Sequence, residues 1–234
     1  MAKRVLIYGM SANPPTGLQG HMGAVAFLKA RFDEIWLMPV YQHIYSTKRH
    51  LAPFHHRVAM CRRAVEVLPA QGAIVDVKET EKDVFEQLAA AHPDTDASQL
   101  RVGTIDLIRF LHQRHPDTSF SMLLGADTYA DLRMGKWKNG EELQQLLRFV
   151  VMTRKGYEPE DRELAAMLAN AATSQDPAAD DANARVLFVS IPSMSDLAST
   201  TVRNISDEHE LRQLVAPSVA EYIIANKLYA FADK

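Results

Sequence analysis

Residues 8–23, YGMSANPPTGLQGHMG, join an apolar run to a segment with helical spacing, and this junction decides the fold. The run VLIY at 5–8 predicts a short buried strand, and MGAVAFLKA at 22–30 predicts a helix. Ordinary strand-to-helix turns need neither Gly9, nor two adjacent prolines, nor a histidine such as His21. Glycines allow backbone amides to approach a ligand closely, and a helix start directs N–H groups and partial positive charge towards it. The stretch therefore predicts a site for an anion such as phosphate.

The pattern of this junction also excludes two common nucleotide sites. It is neither a G-x-G-x-x-G fingerprint nor a G-x-x-x-x-G-K-[ST] loop, and its prolines stiffen it differently from either. A plain NAD-binding dehydrogenase is therefore disfavoured. His21 adds a hydrogen-bond donor that can gain charge, which suits an oxygen on which negative charge accumulates.

Beyond this junction, short β-rich runs alternate with helical patterns. Continuously apolar strands separated by helices predict a parallel sheet covered on both faces. We therefore predict an α/β, doubly wound, Rossmann-like fold in a single domain, with ligands at the carboxyl ends of the strands where the strand order reverses. The predicted strands are KRVLIY, EIWLM, AIVDV, FSMLL, RFVVM and RVLFV. The predicted helices are 21–30, 54–68, 83–91, 103–113, 127–147 with a break near Gly135 and Gly140, 159–171, 206–214 and 217–226.

The composition fits one globular domain over 1–234. With 47% hydrophobic and 24% charged residues, the chain is long enough for one sizeable core. A formal net charge of −3 gives no global basic field, so polymeric nucleic acid is not expected as a partner, and no apolar run approaches the length of a membrane span. The single cysteine, Cys61, and the lack of an N-terminal signal region indicate a cytoplasmic protein. Cys61 itself has no metal-site spacing and is predicted to be a packed core residue.

Three segments lie outside the alternating pattern. SQDPAADDANA at 174–184 is small, acidic and aperiodic, which predicts a mobile loop, and HPDTDASQ at 92–99 predicts a second loop. The last part of the chain, 205–234, is predicted to be helical. No internal repeat or domain linker is evident.

Two motifs in this chain resemble those of the nucleotidyltransferase superfamily. Gly9–Thr16, ending in Gly20-His21, is similar to the loop G-x-[ST]-F-[DN]-P-x-[HT]-x-x-H, and 197–203, LASTTVR, resembles I-S-S-T-x-x-R. Each motif follows a predicted strand, and the two occur in the superfamily's order, which makes the pair far more specific than either alone.

Three further segments resemble one branch of that superfamily, the nicotinate or nicotinamide mononucleotide adenylyltransferases. VGTIDL at 102–107 is similar to S-Y-T-I-D-T-L, and LGAD at 124–127 followed by Lys136-Trp137 is similar to I-G-x-D…W. The closing VAPSVAEYIIANKLY at 215–229 resembles the C-terminal helix of these enzymes. The resemblance thus touches most of the chain.

The resemblance implies a transfer of AMP from ATP to the 5′-phosphate of nicotinate or nicotinamide mononucleotide, which forms a dinucleotide and pyrophosphate. It implies Mg²⁺ as cofactor, bridging phosphate oxygens, and no covalent enzyme intermediate. In such a reaction the protein mainly positions two anions in line and stabilises the charge of the transition state.

Specific residues are carried over on the matching positions. The resemblance implies that His21 contacts the α-phosphate, that Ser199, Thr200 and Arg203 hold the β- and γ-phosphates, and that Lys48 meets the acceptor's phosphate. The implied catalytic residues are His21, Lys48 and Arg203. The implied ATP-binding residues are Gly9, Met10, Ser11, Thr16, Gly20, His21, Gly125, Asp127, Ser199, Thr200 and Arg203. The implied mononucleotide-binding residues are Ser11, Ala12, Lys48, Thr104 and Trp137, and no residue is implied as a direct metal ligand.

Each of these roles has a structural alternative. The hydroxyls at 199–201 can simply cap a helix, and so can Asp127. Trp137 either stacks on the pyridine ring or covers the core between two helices. Lys48 has Arg49 and His50 as neighbouring candidates.

The chain departs from the family pattern at three positions. Leu18 stands where a His or Thr is usual, so either Thr16 serves from a loop that is two residues longer or one phosphate donor has been replaced. The usual Phe after Gly-x-Ser is Ala12, and the usual aromatic before Thr-Ile-Asp is Gly103. Two other functions therefore remain open: another nucleotidyltransferase with a pantetheine, flavin or alcohol phosphate acceptor, and a nucleotide-binding regulatory protein without turnover. The chain is also a possible homo-oligomer.

Overall fold

Six parallel strands form one sheet in the order β3-β2-β1-β4-β5-β6. The strands are β1 (Lys3–Met10), β2 (Glu34–Pro39), β3 (Ile74–Val77), β4 (Thr118–Gly125), β5 (Arg148–Met152) and β6 (Val186–Val189). The computed structural model describes residues 2–42, 51–153, 157–173, 184–191, 194–195 and 198–232. All six predicted strands and the predicted fold class are confirmed.

Helices cover both faces of the sheet. They are α1 (His21–Leu28), α2 (Phe54–Ala64), α3 (Thr80–Ala91), α4 (Thr104–Arg114), α5 (Ala126–Arg133), α6 (Gly140–Leu146), α7 (Arg162–Ala169), α8 (Ser199–Arg203), α9 (Glu208–Leu214) and α10 (Pro217–Ala225). The predicted break in 127–147 is confirmed, because α5 ends before Gly135, which has a φ of +71°, and α6 begins at Gly140. The predicted loop at 92–99 lies between α3 and α4. Of the predicted loop at 174–184, residues 174–183 lie outside the described residues.

The central strand β1 shows why both faces are covered. Side chains alternate along a strand, and Leu6 and Tyr8 enter one apolar cluster while Val5 and Ile7 enter the other. The first cluster packs against α1, α2, α9 and α10, and the second against α4, α5 and α6. A strand buried on both sides reads as the continuous apolar run seen in the sequence.

The strand order reverses between β1 and β4. The chain passes from β1 outward through β2 to β3, then crosses to β4 on the other side of β1 and continues through β5 to β6. The connections after β1 and β4 therefore diverge to opposite faces, which leaves a crevice at the carboxyl ends of these two strands. The 8–23 junction and Gly125 lie at this edge.

The C-terminal part, predicted as helical, packs on the first face. Val219 and Ile223 of α10 join the first cluster together with Met60 and Cys61 of α2. A short 3₁₀ helix, Tyr229–Phe231, follows α10. Cys61 is fully buried, and burial raises the pKa of its thiol to about 12, so the predicted core role is confirmed. No helix in the described ranges is both long and apolar enough to cross a membrane.

Candidate functional site

A cavity of about 710 Å³ opens at the crevice between β1 and β4. Its walls come from the end of β1, the loop that follows it, the β4–α5 junction, the end of β5 and the start of α8. The lining residues are Tyr8, Gly9, Met10, Ser11, Ala12, Asn13, Thr16, Gly20, His21, Leu51, Leu123, Leu124, Gly125, Asp127, Thr128, Met152, Thr153, Met194, Ser195, Ala198, Ser199, Thr200 and Arg203. A cavity of this size is large enough for a nucleotide.

The structure brings the implied ATP-binding residues together. All eleven lie on the wall of this one cavity, although they come from three separate parts of the chain. Of the implied mononucleotide-binding residues, Ser11 and Ala12 also line it, whereas Thr104 and Trp137 are not among the lining residues. Lys48 lies outside the described residues.

Thr16 and His21 form the central polar pair of the loop. The backbone N–H of Thr16 donates to His21 Nδ1 at 3.1 Å. The Thr16 hydroxyl oxygen accepts from the backbone N–H of His21 at 2.8 Å. That hydroxyl also lies 2.6 Å from Nδ1, so its proton points at the ring nitrogen. Nδ1 is therefore an acceptor, and in the neutral ring the proton resides on Nε2. The five-residue spacing thus still places Thr16 against the histidine.

The charge state of His21 follows from its surroundings. Burial lowers the pKa of His21 to about 4, so the ring is neutral at pH 7 in the free protein. The ring can therefore bind an anion through a hydrogen bond from Nε2–H, without carrying a positive charge of its own. A phosphate placed beside Nε2 would favour the protonated ring and raise this pKa.

Helix α8 is fastened to the same loop by two side chains. The Ser199 hydroxyl donates to the Pro14 carbonyl at 2.8 Å, and Arg203 Nη1 donates to the Asn13 carbonyl at 2.7 Å. Arg203 Nη2 also donates to the Thr200 hydroxyl oxygen at 2.9 Å. The N-cap residue of α8 is Ala198, with no side-chain capping bond, so the hydroxyl of Ser199 holds the loop instead of capping its helix.

Arg57 is a buried residue that holds several loops together, and the sequence analysis did not identify it. Its guanidinium donates to four carbonyls: Ser11 at 3.0 Å, Val40 at 2.6 Å, Tyr41 at 3.3 Å and Ala52 at 2.9 Å. Only 2% of the residue is exposed. One side chain therefore ties the loop after β1 to the exit of β2 and to the start of α2.

Glu81 also binds the exit of β2, near Arg57. Its carboxylate accepts a hydrogen bond from the Tyr41 N–H. Burial raises the pKa of Glu81 to about 7, while that hydrogen bond and the charge of Arg57 act in the lowering direction. The exit of β2 at Tyr41 is thus held from both sides.

Asn13 belongs to the first motif, but the resemblance implies no role for its side chain. Only 3% of it is exposed, and its side-chain Oδ1 accepts from the Ala52 N–H and from the Tyr229 hydroxyl, each at 2.9 Å. With its carbonyl bound by Arg203, Asn13 joins the loop to α8, to the segment before α2 and to the C-terminal 3₁₀ helix.

A close backbone approach explains one glycine of the junction. A Cβ on Gly23 would lie 2.0 Å from the Leu18 carbonyl oxygen, which no side chain can tolerate without a backbone shift. The first turn of α1 therefore lies directly under the loop. Leu18 itself is 48% exposed, so the position where the family has a His or Thr does not face the cavity's polar pair.

The residues implied for binding the acceptor lie further apart than the ATP-binding residues do. Gly125, not Asp127, is the N-cap residue of α5, and the Asp127 carboxylate lies against Gly125 on the cavity wall. Lys138, next to Trp137, pairs at 3.3 Å with Asp106, which lies in the first turn of α4. Trp137 is half-buried against the second apolar cluster, and Asp106 bonds the Gly103 N–H at 3.1 Å.

Within the described ranges, no three His, Cys, Asp or Glu side chains converge to hold a metal ion. Mg²⁺ is commonly held by substrate phosphates with one or two carboxylates, and Asp127 provides a carboxylate on the cavity wall. The donor set therefore fits an ion that arrives with phosphates.

Comparisons with known proteins identify the family and the fold of the chain. The cytidylyltransferase-like family model matches residues 7–205. The nicotinate-nucleotide adenylyltransferase of Myxococcus xanthus is 32% identical over 158 residues, which cover 67% of this chain and 71% of the relative. That of Bacillus pumilus is 25% identical over 228 residues, covering 97% of this chain and 98% of the relative. Plasmodium falciparum nicotinic acid mononucleotide adenylyltransferase complexed with NaAD aligns with a TM-score of 0.67 at 20% identity, over 99% of this chain and 100% of that one.

The lowered pKa of His21, a half-buried residue on the cavity wall, predicts a pH dependence of stability. Between pH 6.5 and pH 4 the unfolded chain takes up a proton at this residue and the folded chain does not, so stability is lost as the pH falls. The loss is up to about 3 kcal/mol. Denaturant unfolding across this range should show a shallower acid-side decline for His21→Asn than for the wild type, because Asn keeps an acceptor near the Nδ1 position. The exposed His92→Asn serves as the control, and an unchanged decline in His21→Asn would contradict the lowered pKa of His21.

Proposed function

Since the chain belongs to the cytidylyltransferase-like family and to its nicotinate-nucleotide adenylyltransferases, we propose that it transfers AMP from ATP to nicotinate mononucleotide. It is a nucleotidyltransferase by that membership. The observation that carries the proposed nucleotidyl transfer is the cavity at the strand-order reversal, which gathers the loop after β1 and the 199–203 motif around one space. The names of the relatives support nicotinate over nicotinamide mononucleotide.

The proposed reaction is one in-line displacement. A phosphate oxygen of the mononucleotide attacks the α-phosphorus of ATP, and the bond from that phosphorus to the oxygen bridging the α- and β-phosphates breaks. The products are the dinucleotide and pyrophosphate, so the phosphorus–oxygen bonds balance without a covalent enzyme intermediate. The protein's part is to hold the two anions in line and to stabilise the charge that develops.

His21 is placed to serve the α-phosphate. Thr16 occupies Nδ1, which fixes the ring and leaves the proton on Nε2, the nitrogen available for a ligand in the cavity. A donor that is already oriented costs no reorganisation when the transition state forms. The guanidinium of Arg203 lies at the other motif, and we assign it with Ser199 and Thr200 to the β- and γ-phosphates. Because the Ser199 hydroxyl donates to the Pro14 carbonyl, Ser199 would contribute its backbone N–H at the start of α8.

We propose that Asp127, an ATP-binding residue by the resemblance, would also help to hold an Mg²⁺ ion that arrives with ATP. When bound, the ion would neutralise phosphate charge and stabilise the leaving pyrophosphate. Asp127 lies on the cavity wall at the β4–α5 junction, while His21 and Arg203 supply the donors from the opposite motifs.

The mononucleotide is proposed to lie between the cavity and the first turn of α4. Ser11 and Ala12 belong to both the loop and the cavity wall. The pair Lys138–Asp106 brings the Trp137 segment beside the α4 start that carries Thr104. We propose that Lys48 meets the acceptor's phosphate. In this proposal the acceptor's phosphate lies beside the α-phosphate of ATP.

A dinucleotide assay tests the proposal. Purified protein with ATP, Mg²⁺ and nicotinate mononucleotide should yield nicotinate adenine dinucleotide and pyrophosphate in equal amounts, measured by chromatography and a coupled pyrophosphate assay. His21→Asn should lower turnover by about two to three orders of magnitude, the scale of one lost charge-stabilising donor, with a native circular dichroism spectrum. His92→Asn should retain wild-type turnover.

The outcomes separate the alternatives. Product with nicotinamide but not nicotinate mononucleotide would overturn the substrate assignment alone. Pantetheine, flavin or alcohol phosphates serve as alternative acceptors in parallel reactions. ATP binding without turnover on any of these acceptors would instead favour the non-catalytic regulatory function.

Trp137 provides a separate test of the acceptor's position. The chain has two tryptophans, and Trp36 is only 5% exposed, so quenching of fluorescence by the mononucleotide reports on Trp137. Trp137→Ala should weaken mononucleotide binding by about 1–2 kcal/mol, the cation–π scale, and leave ATP affinity nearly unchanged. Trp137→Phe should retain most of the affinity. Equal weakening of both substrates together with a large loss of stability would show that the ring only covers the core.

A further inference from the structure

The C-terminal 3₁₀ helix reaches the nucleotide loop through one hydroxyl. Tyr229 donates to Asn13 Oδ1 at 2.9 Å, a contact between residues 216 positions apart. Asn13 lines the cavity, and its carbonyl accepts from Arg203 Nη1 at 2.7 Å. The hydroxyl of Tyr229 therefore contacts a residue of the cavity wall, and only Asn13 lies between it and the guanidinium assigned to the triphosphate.

The backbone at this point is held in an unusual conformation. Tyr229 has a φ of +57° and Lys227 a φ of +51°, both in the left-handed region that costs a non-glycine residue about 1 kcal/mol or more. Such conformations persist only where the surroundings fix them. Here the buried Phe231 and the Leu228 N–H bond to the Ile223 carbonyl at 3.0 Å hold the turn. The chain thus turns sharply after α10 and places Tyr229 beneath the loop.

Tyr229 also lies among the charges that organise the loop. Burial raises the pKa of its phenol, while the positive charges of Arg203 and Arg57 act in the opposite direction. The hydroxyl therefore stays protonated and remains a donor over the physiological range. Asn13 Oδ1 receives this donor and the Ala52 N–H together, so the amide is held from two sides.

We propose that Tyr229 is a positioning residue of the active site, which fixes Asn13 and through it Arg203 in the conformation that binds the triphosphate. The C-terminal segment is then part of the nucleotide site and not only a cover for the core. The catalytic consequence rests on the function proposed above, whereas the effect on the loop does not.

Tyr222 offers a matched control. Its hydroxyl lies 2.9 Å from His56 Nδ1, so Tyr222→Phe also removes one hydroxyl contact between the C-terminal part and α2. That contact does not involve the loop after β1. Tyr229→Phe keeps the ring against the first apolar cluster and removes the bond to Asn13, together with a weak 4.0 Å contact from the hydroxyl to Met60 Sδ.

The experiment compares these two variants by amide hydrogen exchange of the free protein and by steady-state kinetics. Tyr229→Phe should speed exchange of amides in 11–17 by about five- to tenfold, the scale of one lost hydrogen bond, and lower kcat by about tenfold or raise the KM for ATP. Tyr222→Phe should change the Tm by a similar amount, but it should leave the amide exchange of 11–17 and the kinetic constants unchanged. In an Asn13→Ala background, Tyr229→Phe should add nothing further to loop exchange.

Equal effects of the two tyrosine variants on loop exchange, or an effect of Tyr229→Phe that persists in Asn13→Ala, would overturn the positioning role. Because exchange needs no substrate, it decides this point even if the wild-type protein makes no dinucleotide. A wild-type protein that makes no dinucleotide would refute the proposed function and leave the positioning role of Tyr229 standing.

Discussion

The backbone N–H and C=O groups of a buried loop need hydrogen-bond partners, and this constraint determines the structure of the site. Residues 12–17 after β1 are buried yet lie outside any helix or strand, so their polar groups need partners from elsewhere. Arg57 binds the Ser11 carbonyl, Arg203 binds that of Asn13, and Ser199 binds that of Pro14. These donors come from α2 and α8, which the sequence separates widely. The loop thus takes its shape from the whole fold.

The same arrangement explains how an acidic protein can hold an anion. The net charge is −3, but two guanidinium groups lie at the loop and its carbonyls are turned towards them. Carbonyls that point at Arg57 and Arg203 do not point into the cavity, where they would repel a phosphate. His21 contributes a neutral donor whose ring is oriented by Thr16. Local placement of charge therefore matters more here than the overall balance.

The sequence predicted the sheet and most of the residues that line the cavity. Strands such as VLIY at 5–8 are buried on both faces and so leave a continuous apolar signal. The two motifs lie on contiguous loop and helix positions, so the resemblance to the superfamily's motifs was enough to assign Gly9, His21 and Arg203 to one site. The position of Thr16 relative to His21 was ambiguous because it depends on how the buried loop at 12–17 folds back, which sequence spacing does not encode.

The supporting residues were missed because their partners are distant in the chain. Arg57 falls on the same helical stripe as Cys61 and Ala64, both buried, and a charged residue on an apolar stripe was the one available signal. Tyr229 has no such signal, since its role depends on a left-handed turn after α10. Trp137 and Thr104 were predicted at the site, but the cavity wall does not include them.

The central claim is that the loop after β1 is already in its binding conformation before the nucleotide arrives. A crystal structure of the protein with a non-hydrolysable ATP analogue measures this most directly. The account predicts triphosphate density between His21 and Arg203, with the backbone of 9–23 within about 1 Å of its position in the free protein. A nucleotide bound away from these two residues, or a loop that has released Asn13 from Arg203 and Tyr229, would contradict it.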